Sequence, residues 1–120
     1  MDSFGSRSGQ YRRPANVWIL AVDAADDEAK VVTATREYLA TWTPQDIGAL
    51  PPEARPGRIT SAEDLGDMAY RLSQAHLHFD GDAEHRETLE RMMGFFIHAA
   101  SRAAQLSANV ISASPDLEPQ

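Results

Sequence analysis

Leu89-Glu90-Arg91-Met92-Met93-Gly94-Phe95-Phe96-Ile97-His98-Ala99-Ala100-Ser101-Arg102-Ala103-Ala104-Gln105-Leu106 decides the fold. With Val110 and Ile111 beyond it, this run places apolar side chains around roughly 200° of a helix at about 100° per residue. A surface helix carries an apolar stripe only a little over about 100° wide, so this helix has to be covered from at least two directions. Its central arc is Leu89, Met93, Phe96, Ala100, Ala103 and Ala104. Its flank is Met92, Phe95, Ala99 and Leu106. The alanines permit close approach of a second helix, which predicts an intramolecular bundle on the central arc and a separate partner on the flank.

Working toward the N-terminus, Asp80-Gly81-Asp82 reads as a turn, with Asp82 as the cap of a helix from 83 to about 109. Before it, Leu65, Met68, Ala69, Leu72, Ala75, His76 and Phe79 form a narrow stripe at helical spacing. Thr60-Ser61-Ala62-Glu63 matches a capping box, and Ser61 with Asp64 offers a second start one residue later. The two helices, 61 to 79 and 83 to about 109, are joined too tightly to be anything but an antiparallel hairpin. The first of them carries a lesser apolar surplus of its own at Gly66, Tyr70, Ser73 and Leu77.

Residues 43 to 60 are the longest connection, punctuated by Pro44, Pro51, Pro52, Pro56 and Gly57. Thr43-Pro44-Gln45-Asp46 caps one or two turns through Leu50, Pro51-Pro52 stops them, and Glu53 to Ile59 is expected to be extended. Ile47, Leu50 and Ile59 predict that packing orders this loop. Upstream, Val31, Ala34, Thr35, Tyr38, Leu39 and Trp42 make an amphipathic helix of about five turns, with Asp23 read as its cap and a break near that residue. The apolar run Val17 to Val22 is read as a short buried helix entered at Pro14, because no other segment offers a strand to pair with.

The fold class is therefore all-α: a small helical bundle on a C-terminal antiparallel hairpin, with an N-terminal helix and a long Pro-rich ordered loop. Residues 14–112 form one domain, between a disordered basic arm (1–13) and a disordered tail (113–120). Arg12-Arg13 ahead of Val17 to Val22 imitates a signal peptide, but the apolar run is shorter than such signals use. The chain has no cysteine, which excludes disulfides, thiolate nucleophiles and Cys-ligated metals.

Charge narrows the partners. Residues 1–14 hold three arginines against Asp2, so residues 15–120 carry eight basic groups against seventeen acidic ones, a net −9 within the chain's −7. Such a body repels nucleic acid phosphates and anionic membranes, and suits a basic protein partner. No segment has the ~18 apolar residues of a membrane span. Lys30 is the only lysine and alanine is abundant, a composition that points to a bacterial, cytoplasmic protein.

No nucleophile elbow, phosphate loop, dinucleotide motif or paired Glu-x-x-His is present, so the residues offer no catalytic centre and no cofactor. The one constellation with ligand chemistry is His76 with His85. Both are expected to point inward near the hairpin turn, where Asp82 or Asp80 would complete a divalent-metal site close to Trp42. The primary expectation is instead a protein–protein interaction protein: a homodimeric adaptor, regulator or inhibitor. Its interface is expected at Phe95, Met92, Ala99 and Leu106, with Tyr70 and Leu77 beside them.

Overall fold

The computed structural model describes residues 17–113, the side chains of 110–113 excepted. The expected basic arm, Pro14 and the tail beyond residue 113 lie outside them. Every regular element among the described residues is helical. They are α1 (17–24), α2 (Glu28–Ala40), α3 (Pro44–Gly48), a single 3-10 turn at Pro52–Ala54, α4 (Ala62–Leu77) and α5 (Ala83–Ala113). At 1.5 Å per residue α5 is about 46 Å long and serves as the spine. No helix of the described residues is long and apolar enough to cross a membrane.

Helices α4 and α5 form the antiparallel hairpin that the short link demands, and α2 lies across both. His76 meets Glu90, and the Arg86 guanidinium sits over the Phe79 ring, 5.7 Å from its centroid, so the two helices run level in opposite directions. At the turn, a Cβ on Gly81 would come within 2.5 Å of the Phe79 ring. Glycine is what lets Phe79 fold back over the start of α5.

The core uses the stripe that periodicity marked on α4, but on α5 it is turned toward the expected flank: of the expected central arc, Met93 and Ala100 are half-buried and Ala104 is exposed. Leu65, Met68, Leu72 and Ala75 of α4 meet Leu89, Met92, Phe96, Ala99 and Ala103 of α5, all buried. Val31, Val32, Ala34 and Tyr38 bring α2 onto them. Among the described residues Thr35 is the one buried polar residue, and its hydroxyl donates to the Val31 carbonyl one turn back, which satisfies it locally.

The flank of α5 is covered from within the chain. Phe95 is only 4% exposed because the Tyr38 ring stacks on it, centroids 3.9 Å apart and planes within 17°. Phe96 meets Phe95 edge-on at 6.1 Å, and Trp42 meets Tyr38 edge-on at the same distance. Met92, Ala99 and Leu106 are likewise buried. The interface expected at these four residues is thus corrected: they are core. The misreading came from treating the flank as spare, when α2 runs antiparallel along it, Tyr38 at Phe95 and Trp42 at Arg91.

Two boundaries also move. Asp23 does not cap α2: it lies inside α1, the break falls at residues 25–27, and Asp27 is the cap, accepting from the Lys30 amide at 2.9 Å. Three aspartates competed for that role, and His98 of α5 engages Asp23. Helix α2 is consequently 13 residues, shorter than five turns. In the loop, the stretch expected to be extended begins with the 3-10 turn, closed by the Ala54 amide donating to Pro51.

Packing does order the loop. Leu50, Ala54 and Ile59 are buried, and Arg55 reaches back to donate from Nε to the Leu50 carbonyl and from Nη2 to that of Gly48. Gly48 is the last residue of α3 and Leu50 follows its cap Ala49, so Arg55 takes up carbonyls that the end of the helix leaves unpaired. Phe95→Ala removes the ring on which α2 rests and is expected to lower unfolding free energy by about 3–5 kcal/mol in denaturant titration. If Phe95 were instead a surface residue, the change would stay within about 0.5 kcal/mol.

Candidate interaction surface

With α5 wrapped by α2, α4 and the end of α1, the large apolar side chains left outside identify the remaining free faces. They are Val17 and Leu20 on α1, Tyr70 and Leu77 on α4, and Ile97 on α5. Tyr70 and Leu77 are 66% and 69% exposed, Leu20 being 66% as well, and the two on α4 lie seven residues apart on one stripe. Gly66 and Ser73 occupy the same stripe, both small, and nothing lies within 4 Å of where a Gly66 Cβ would be. The Ser73 hydroxyl donates to the Ala69 carbonyl at 2.8 Å, so it turns its polarity into its own helix.

The rim of this stripe is charged in an ordered way. Glu63, Asp64 and Asp67 occupy the first half of α4, while Arg71 and His76 occupy the second, where no acidic residue occurs, and His78 is its C-cap. This polarity agrees with the helix dipole. The start of α4 is built around Asp64, whose carboxylate accepts from the Thr60 amide at 2.8 Å, the Ser61 amide at 3.1 Å and the Thr60 hydroxyl. Of the two starts read in the sequence, the Ser61 and Asp64 one is used. Those amide donors, Thr60 first, hold the Asp64 carboxyl below the ordinary carboxylate range.

The histidines expected to share a metal are separated into different pairs. His76 Nε2 lies 2.8 Å from Glu90, half-exposed at the seam of the hairpin. His85 is exposed, not inward, because Asp82 captures it: the carboxylate accepts from the His85 amide and sits 2.7 Å from its ring nitrogen. The amide first and the ring second hold the Asp82 carboxyl below its ordinary value, as befits the cap of α5. Trp42, expected close to that site, takes up Tyr38 and Arg91 instead, with the guanidinium 5.0 Å above its ring. Among the described residues, no three His, Asp or Glu side chains converge as a metal set.

Two contacts on α5 went unread in the sequence. His98 lies 2.7 Å from Asp23, and one turn on, Arg102 donates to the Ala25 carbonyl at 2.9 Å. Together they fasten the end of α1 to α5, with a cation at the C-terminal, negative end of that short helix. Both partners lie more than seventy positions away in the chain, so no local pattern marks the pairing.

Comparison with protein-family models, with curated proteins and with solved structures finds no match. What the protein does has to be argued from its own surface.

The caps make stability acid-sensitive. Asp64 and Asp82 have folded values below their unfolded ones, so their contribution is present above the unfolded carboxylate range near pH ~4 and is lost as pH falls through the folded values. The thermal midpoint should fall between about pH 5 and pH 2. The Asp64→Ala, Asp82→Ala variant should start lower and lose less over that interval, and an equal loss in both proteins would contradict this assignment.

Proposed function

We propose that this chain is a non-enzymatic protein–protein interaction protein, a homodimeric adaptor, regulator or inhibitor with an acidic surface, and that α4 carries its contact face. The observation behind the reading is Tyr70 with Leu77: two large apolar side chains, two-thirds exposed, on a helix whose other face is fully committed to the core. Leaving both in water forgoes burial that a neighbour would supply at about 25 cal/mol per Å². An aromatic and a leucine on a stripe otherwise made of small residues form a shallow relief into which another helix fits. The acidic body favours partners with basic surfaces and speeds their approach.

A bundle that binds a metal near His76 and His85 is the less favoured reading, since each histidine is engaged with its own carboxylate. The Tyr70→Ser, Leu77→Ser double variant tests the proposal. Because both residues are exposed, its unfolding free energy should stay within about 1 kcal/mol of the parent. Its association should weaken by at least about tenfold, read by sedimentation for the chain alone and by titration with an arginine-rich polypeptide. Undiminished association in both measurements would overturn the reading.

A further inference from the structure

We infer that the occupant of the α4 face is a second copy of this chain, paired antiparallel, helix α4 on helix α4, about a two-fold axis that crosses between residues 71 and 72. The inference rests on the reading just given and specifies its partner and register.

The shape of the α4 stripe suits a second copy of itself. At 100° per residue, positions 66, 70, 73 and 77 fall within about 60° of one another, so all four share one line of the helix. In an antiparallel pair related by a two-fold axis, facing positions have numbers with a constant sum. An axis between 71 and 72 sets Leu77 over the partner's Gly66, and the same axis sets Tyr70 over the partner's Ser73. Each large side chain thereby meets a small one, twice over by symmetry. Gly66 has open space around it, and the Ser73 hydroxyl is already bonded within its own helix, so neither site resists an apolar neighbour. One register satisfying both pairs is the mark of a self-complementary, isologous surface.

The charge on α4 suits the same pairing. Two bodies of net charge −7 repel, so self-association needs local complementarity at the contact. Helix α4 carries Glu63 and Asp67 in its first half and His76 in its second, with His78 as its C-cap, while Arg71 lies beside the axis and next to its own copy. Antiparallel pairing lays the acidic half against the half that bears the histidines and opposes the two helix dipoles, whereas parallel pairing would lay the acidic halves on one another. On the edge nearer α5, residue 69 lies level with residue 97, since His76 meets Glu90 seven positions away on each helix. Ile97, 43% exposed, stands at that level on α5. The contact is short, about 24 Å of helix, which places it among the smaller interfaces and calls for micromolar or higher concentration.

Sedimentation equilibrium of the full chain from about 1 to 500 µM should show the mass rising from 13.2 kDa toward twice that value. Gly66→Leu fills the space that the partner's Leu77 needs and should remain monomeric throughout. Its thermal midpoint should equal or exceed the parent's, because glycine in a helix interior is replaced by a good helix former in open space.

The chain lacks cysteine, so register can be read by crosslinking. A mixture of the Gly66→Cys and Leu77→Cys chains should form a disulfide between the two variants. Each variant alone should crosslink slowly, its thiols being about 16 Å apart along the paired helices.

A parent that stays monomeric up to 500 µM overturns the self-pairing. If Tyr70 and Leu77 then still govern binding of the basic polypeptide, the interaction reading stands without it. A dimer that Gly66→Leu leaves intact, or thiols at 66 that couple with one another as fast as with those at 77, overturns this register. A dimer indifferent to Tyr70 and Leu77 as well overturns both.

Discussion

The seating of α2 on the hairpin depends on the stack of Tyr38 upon Phe95. It is the contact by which α2, separated from α5 by more than forty residues, reaches the arc of α5 that α4 leaves open. Burial of two aromatic faces outweighs the modest cost of desolvating the Tyr38 hydroxyl, and that burial pushes the hydroxyl's pKa up, so it stays neutral. Once α2 is seated, its neighbours follow. Trp42 at the next turn carries Arg91, while at the other end of α2 the chain returns toward α1, held by Arg102 and His98.

This arrangement explains why a helix with excess apolar surface produces no large exposed patch of its own. Phe95 and Leu106 are the residues that made α5 look unfinished, and both are inside. Beside Val17 and Leu20 of α1 and Ile97 of α5, the surplus that remains is the smaller one, on α4. Among the described residues α4 is packed by α5, by α2 and by the 3-10 turn, and Tyr70 and Leu77 stay outside those contacts. The protein's free surface is therefore defined by topology, by which helix ends up central, more than by which helix is most apolar.

The charged groups divide into those that shape the fold and those left for partners. Asp27, Asp64 and Asp82 each cap a helix, and Arg55 and Arg102 close backbone carbonyls that would otherwise be unpaired. What is left, notably Glu63, Asp67 and Arg71 of α4, caps no helix and closes no carbonyl among the described contacts. Three of the four histidines face a carboxylate at 2.7–2.8 Å, an economy that secures the seam, the cap and the end of α1 separately. That dispersal removes the side chains from which a metal site was expected.

The amino-acid sequence by itself determined that the chain is helical, where the hairpin turns, that Asp82 caps α5, and that Leu50 and Ile59 anchor the loop. Those outcomes follow from local chemistry: periodicity, proline, capping side chains and a short link act over a few residues. Tyr70 and Leu77 were legible as surplus for the same reason. Tertiary structure alone decided that Phe95, Met92, Ala99 and Leu106 are core, that Asp23 serves His98 while Asp27 caps α2, and that His85 faces outward. Each of those was a choice among locally equivalent options, settled by a partner distant in the chain or, for His85, by a carboxylate that both capped the helix and held the ring.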